Sequence, residues 1–343
     1  MLERDFATEA RQTRDLVRDL HQARQGIYWA DLLISAVAGW TSFVAACLLS
    51  PLSGKMIACA GLAVVFLYRG LCFVHEISHL DPRAVRGFET AWNLLFGYPL
   101  LMPSFVYSGV HPNHHKLSTY GTRQDPEYMA FAKSSRMTLF FALESFFIPV
   151  ALLTRFLVLT PAGLLLPAFQ KWLVIHASSL TMNLQYRREA SVDLLRSVRL
   201  HSSLVWLLWV SALSLAALKI VPWRVFGVWL LVSAFISFVN TLRTLGAHGY
   251  ESEGEALDRQ AQLLDSIDTP GALWTELWAP VGLRYHALHH YFPGIPYHNL
   301  GQAHRRLVES LPSDAAYHES RSPSLLFSLR KLYRNGRHAL RHH

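Results

Sequence analysis

Eighteen of the 343 residues are histidine, and eight of these fall into three short clusters. The first is His75-Glu76-Ile77-Ser78-His79. On a helix its i, i+4 spacing puts both imidazoles on one face, about 6 Å apart at Cβ. The second is His111-Pro112-Asn113-His114-His115 and the third His286-Ala287-Leu288-His289-His290. There the i, i+3 pair shares a face and the adjacent histidine points about 100° away, so one cluster can serve two neighbouring metal ions. Any single cluster reads equally well as a polar cap at a membrane interface. Three together, two with the same HxxHH spacing, serve no packing purpose. Imidazole suits zinc, copper, iron and nickel, and a structural zinc takes four ligands. Eight imidazoles therefore imply two metals. Soluble di-iron proteins instead carry Glu and Glu-x-x-His motifs in a helix bundle, a carboxylate pattern this chain lacks.

The elements that must position these clusters are apolar. Hydrophobic residues make up 51% of the chain and charged residues only 16%, against about 25% charged in soluble domains. This excludes an ordinary soluble globule and a disordered chain. The net charge of +8 is scattered, so it reads as topology signal and lipid contact rather than as a nucleic-acid surface. Cys47, Cys59 and Cys72 lie inside apolar runs and read as packing residues, not as a disulfide framework. No cleavable signal peptide is expected, because the first 26 residues have no early apolar core.

Residues 1–26, with Leu2, Phe6, Leu16, Val17 and Leu20 spaced along a charged stretch, predict an amphipathic surface helix. Four runs are long enough to cross a bilayer: about 27–50, 56–76, 204–221 and 225–245. Ala91–Tyr107 contains Pro99 and Pro103, and Thr138–Phe169 contains Glu144, Pro149, Arg155, Pro161 and Pro167. If Ala91–Tyr107 crossed the bilayer, the first two clusters would face opposite sides and could not share a site. That stretch must turn back, and Thr138–Phe169 must cross zero times or twice. The expected fold is an all-α integral membrane protein with four transmembrane helices, interfacial or re-entrant helices and a cytoplasmic histidine-rich cap. Lys and Arg number 5 in the N-terminal tail, 12 in residues 77–202 and 11 in residues 243–343. The opposite loops hold Lys55, Lys219 and Arg224. This places both termini and the histidine clusters in the cytoplasm, for a multi-pass protein of the bacterial inner membrane.

In order and spacing, HEISH, HPNHH and HALHH resemble the three histidine boxes of the integral-membrane fatty-acid desaturase superfamily. Asp125-Pro126-Glu127 and His289-His290-Tyr291-Phe292-Pro293 are similar to its acyl-lipid branch. The resemblance covers residues 27–307, leaving 308–343 as a basic C-terminal tail. It implies two non-haem iron ions held by His75, His79, His111, His114, His115, His286, His289 and His290. It adds His248, just after the fourth span, where family members often have a further ligand. It also implies dioxygen as co-substrate and desaturation of an acyl chain held in an apolar channel, for which Trp92, Tyr98 and Phe105 are candidate lining residues. No haem, flavin or iron–sulfur module is visible in the chain, so electrons are expected from a separate ferredoxin-like or cytochrome-type donor. Arg187, Arg188, Arg305 and Arg306 are candidates for docking an acidic donor, or for contacting lipid head groups.

The same scaffold admits a hydroxylase or ketolase acting on a lipid, alkane or carotenoid. A zinc-dependent membrane hydrolase, a metal-binding transporter or a haem protein is the more distant alternative. Glu76, Asn113 and Asp125 are candidates to hold imidazole N–H groups, and His298 and His304 to support the third box. His21, His176, His201 and His318 read as surface residues, and His338, His342 and His343 as a solvated tail. Arg69 lies inside the second span, either functional or snorkelling to the interface.

Overall fold

A computed structural model describes residues 6–339; Leu2, His342 and His343 lie outside them. Among the described residues the chain is helical, with isolated β-bridges and no extended sheet. It is an integral membrane fold. Five helices are long and apolar enough to span a bilayer: Gln25–Leu48, Gly54–His79, Ser135–Leu165, Val192–Ala217 and Arg224–Leu245. Exposed leucines and valines such as Leu33, Val37, Leu207 and Leu230 cover their outer faces, an apolar surface that suits lipid.

Four of these helices match the expected spans, with one shifted start. The apolar run of the third expected span begins at residue 204. The helix begins instead at Val192, where the Ser191 side chain caps it by accepting from Leu194 N at 3.2 Å. Its first turns carry Asp193, Arg196 and Arg199, which a hydropathy reading excludes.

The fifth helix, Ser135–Leu165, explains how a proline-rich stretch stays helical. Pro149 and Pro161 each sit in the first turn of a new helical segment, after a 3₁₀ turn at Ser145–Phe147 and a π turn at Thr154–Leu159. The missing N–H is harmless there. The chain breaks at Leu166 and folds back as Pro167–Ala177. Arg155 ties the two limbs together, donating to Ala177 O at 2.7 Å and Ser178 Oγ at 2.8 Å. Met182 N and Asn183 N then donate to Pro126 O, close behind the second histidine cluster. The excursion thus ends beside Pro126, nine residues before it begins.

Ala91–Tyr107 also turns back. Asn93 clasps Ser104 twice, Ser104 N donating to Asn93 Oδ1 at 2.8 Å and Asn93 Nδ2 to Ser104 Oγ at 2.9 Å. A turn at membrane depth leaves carbonyls without helical partners, each costing several kcal/mol in lipid. Tryptophan indoles supply the missing donors. Trp40 donates to Leu95 O and Trp229 to Pro99 O, at 2.8 and 3.0 Å, and Trp209 donates at 3.1 Å to Tyr98 O, which also takes Leu101 N. Trp92 donates to Gly70 O at 2.7 Å. Gly70 must be glycine for this loop to seat, since a Cβ there would lie 2.0 Å from the Phe96 ring.

Arg69 neither snorkels nor reaches the clusters. It pairs with Asp31 on the first span and Glu276 in the short helical segment Leu273–Leu277, at 2.5 and 3.0 Å. Tyr297 OH donates to the same Asp31 at 3.0 Å. The N-terminal helix, Phe6–Val17, packs one face on the protein. Val17 and Leu20 pack with Leu288 and Tyr291, and buried Glu9 accepts from Ala316 N at 3.0 Å. The C-terminal helix Leu325–Ala339 packs on Ser135–Glu144, its Gly336 pressed against the Ser134–Ser135 backbone. His338, near its end, is exposed.

Candidate metal centre

All nine expected site residues converge. Each offers one nitrogen to one of two groups whose donor atoms lie within 4.8 Å of one another: His75, His79, His111, His115 and His289, and His114, His248, His286 and His290. The first group draws on the last turn of the second span, the short helix His111–His114 with its cap His115, and the helix His286–Tyr291. Each HxxHH cluster feeds both groups. The partition differs from the expected i, i+3 pairing. His111 Nε2 lies 2.9 Å from His115 Nε2, and His286 Nε2 lies 3.1 Å from His290 Nε2, so i, i+4 neighbours group together. Four residues turn a helix by about 400°, 40° past a full circle, whereas three fall about 60° short.

Neutral imidazoles do not face one another lone pair to lone pair without something between them. His248 Nε2 is 2.8 Å from His286 Nε2 and 3.2 Å from His114 Nε2. In the other group His289 Nε2 is 3.2 Å from His79 Nε2. Such spacing suits adjacent ligands of one ion at about 2.1 Å per bond. His75 Nδ1 and Nε2 are buried with no hydrogen-bond partner. Burial first, and neighbouring imidazoles second, hold His111, His115, His286, His289 and His290 well below the usual histidine range. They are neutral nitrogen donors. The donor set fits metal.

The second layer fixes ring orientations. His114 Nδ1 donates to Asp125 at 2.9 and 3.0 Å. Burial disfavours the charged form of His114, but Asp125 outweighs it and raises the pKa. His111 Nδ1 lies 2.7 Å from Glu127, whose carboxyl burial pushes up to about 7. His248 Nδ1 is 2.8 Å from Tyr120 OH, which donates to Asp265 at 2.8 Å. Burial lowers the His248 pKa, with Asp265 opposing. Gln262 lies 3.3 Å from His290 Nδ1. Asp268, fully buried, accepts from Leu288 N at 3.1 Å and so caps the third cluster's helix. These contacts leave the Nε2 atoms of His111, His114 and His248 free to face the centre, as outer-shell partners of metal ligands do.

Asp125 was expected in this layer. Glu127, Tyr120, Asp265, Gln262 and Asp268 were not. Glu76 does not hold an imidazole: it accepts from Tyr28 OH at 2.5 Å and Tyr297 N at 3.1 Å, because it points away from the face carrying His75 and His79. Asn113 donates to Tyr186 OH and Gly109 O instead. His304 acts at one remove, its Nδ1 2.7 Å from Tyr317 OH, which donates to Asp268. His298 Nε2 accepts from Arg24 N. His201 is not a surface residue; it is half-buried, 2.7 Å from Tyr98 OH. His21 and His176 are exposed.

A cavity of about 70 Å³ adjoins His75. Its walls include Leu71, Met102, Tyr107, Ile148 and Ile236, and Trp92, Tyr98 and Phe105 are not among them. Trp92 is held off by its bond to Gly70, and Tyr98 by His201.

The family model for fatty acid desaturase matches residues 53–321. The chain is also similar to a ceramide hydroxylase of Caulobacter vibrioides (strain NA1000 / CB15N), at 38% identity over 329 residues, covering 95% of this chain and 93% of that protein. No solved structure matches it.

Proposed function

The chain belongs to the fatty acid desaturase family, and from that premise we propose that it is an oxygen-dependent di-iron oxidase that hydroxylates a lipid acyl chain. The observation that carries this reading is the pair of adjoining all-nitrogen histidine groups. Ligands are His75, His79, His111, His115 and His289 for one iron and His114, His248, His286 and His290 for the other. Bound iron would supply activation of dioxygen and the oxidising power to remove hydrogen from an unactivated methylene. The protein's own residues do the rest. Asp125, Glu127 and the Tyr120–Asp265 pair hold rings His114, His111 and His248 in register. The walls of the cavity at His75 are mostly apolar and hold a methylene, which has no polar handle, while keeping water from competing with it.

Desaturation and hydroxylation begin alike, and differ in whether oxygen is added or a second hydrogen removed. The similarity to a ceramide hydroxylase favours oxygen addition, on an amide-linked lipid. One dioxygen, two electrons and two protons then convert R–H to R–OH and water. The electrons come from a separate ferredoxin-like or cytochrome-type donor. Among the arginines considered for its docking, Arg187 and Arg305 are exposed. Arg188 is buried on backbone carbonyls and Arg306 is paired with Asp19, so neither serves. Residues 27–307 form the catalytic membrane unit. It lies in the bacterial inner membrane with both termini and the histidine boxes cytoplasmic, a placement the Lys and Arg counts support.

Membranes containing the protein, an electron donor, an N-acyl lipid and isotope-labelled dioxygen test the chemistry. The expected product carries one labelled oxygen as a hydroxyl on the acyl chain. A product lacking two hydrogens and carrying no label would restore the desaturase reading.

A further inference from the structure

The cavity beside His75 is mostly but not wholly apolar. Leu71 and Ile148 wall it, but Ser237, Asn240 and Arg243, three residues apart on the helix Arg224–Leu245, also line it. Residues at that spacing share a helix face. Arg243 is the odd member among the arginines at membrane depth. Arg69 has two carboxylate partners, and Arg155 has Ala177 O, Thr160 Oγ1 and Ser178 Oγ. Among the described residues Arg243 has no ion-pair partner. Its NH2 donates to Asn240 Oδ1 at 3.0 Å, while its Nε is buried with no hydrogen-bond partner. Tyr68, Tyr107 and the buried carboxylate of Glu127 are its charged and polar neighbours, but none of them satisfies the buried Nε, and a donor left open at membrane depth marks a ligand site.

We propose that Arg243, positioned by Asn240 and flanked by Ser237, binds the oxygen acceptor at the polar end of the lipid substrate. Oxidation is thereby confined to carbons close to that end. This rests on the oxidase reading above. The ligand chemistry is an acceptor oxygen attached to the acyl chain, whether an amide carbonyl or a carboxylate. A guanidinium is a pure donor and matches either. The restriction on position follows from proximity. Arg243 and His75 border the same cavity, so an acceptor held on Arg243 sets the neighbouring carbons of its chain beside the histidine group.

The test compares wild type with Arg243→Met, Arg243→Lys and Asn240→Leu in membranes. Each is given an N-acyl lipid, the free fatty acid of equal length and the corresponding hydrocarbon. With Arg243→Met, KM for the preferred oxygen-bearing substrate is expected to rise about tenfold to a hundredfold, the scale of a lost charged hydrogen bond. The product is expected to spread over several carbons, metal content to stay at wild type, and Arg243→Lys to recover most of the KM. The amide and acid arms show which acceptor is read. Unchanged KM and unchanged position of oxidation in both Arg243→Met and Asn240→Leu would overturn the proposal, as would loss of metal in Arg243→Met. If Arg243→Met does not accumulate, Asn240→Leu and Arg243→Lys decide by the same readouts. A wild-type protein that oxidises none of the three substrates would instead sink the oxidase reading.

Discussion

Replacing His248 with alanine is expected to cut turnover by more than about a hundredfold and to lower bound iron, with the protein still inserted in the membrane at wild-type level. Outer-shell partners of metal ligands typically cost 10- to 100-fold when removed, so a ligand should cost more. His248 lies in none of the three clusters. Its Nε2 sits 2.8 Å from His286 Nε2 and 3.2 Å from His114 Nε2. Its position is set from behind by Tyr120 and Asp265, and by a β-bridge to Ser266. If it merely packed, alanine would leave a small buried hole and near-normal chemistry. His289→Ala should cause the same loss through the other group, and His176→Ala, on an exposed ring, should cause none. Activity within a few-fold of wild type in His248→Ala would remove it from the centre.

Asp125→Asn should weaken metal retention by about 10- to 100-fold and lower thermal stability as well. Asp125 is fully buried, and both of its oxygens are acceptors: Oδ1 takes Glu127 N at 2.9 Å and Oδ2 takes Gly121 N at 3.0 Å, in addition to His114. Asparagine has one such oxygen. Its amide nitrogen would confront either a backbone N–H or the His114 Nδ1–H, at a cost of about 1–3 kcal/mol for the unsatisfied donor. His114 would lose the carboxylate that fixes its tautomer. Metal remaining per chain after dialysis against a chelator, with a melting curve, reads both effects. Wild-type values in both would mean that Asp125 does not orient the ring.

The eight converging box histidines are legible because box spacing survives in one dimension, and because a shared site forces Ala91–Tyr107 to turn back. What closes that turn was not legible. The indoles of Trp40, Trp209 and Trp229 meet carbonyls at 95, 98 and 99 from more than 30 residues away, and the sequence does not announce such pairings. Glu127 escaped assignment although it stands two residues from Asp125. Its partner is His111, which the Asp125–Pro126–Glu127 turn reaches only after the chain doubles back. Asp265 and Asp268 lie in no motif and are brought to His248 and the third cluster by bridge pairing. Thr138–Phe169 was ambiguous for a local reason: its prolines look like breaks unless each is known to open a new helical segment. His201 misled because a histidine within an apolar run can face lipid or protein, and Tyr98 decides it.

Elemental analysis of protein purified under conditions that retain iron, for wild type and His286→Ala, bears most directly on the two-group centre. About two irons per chain are predicted for wild type, one for each histidine group. About one or fewer should remain when His286, which stands between His248 and His290, is removed. Zinc alone in the wild type, or a single metal that ignores the loss of His286, would contradict it.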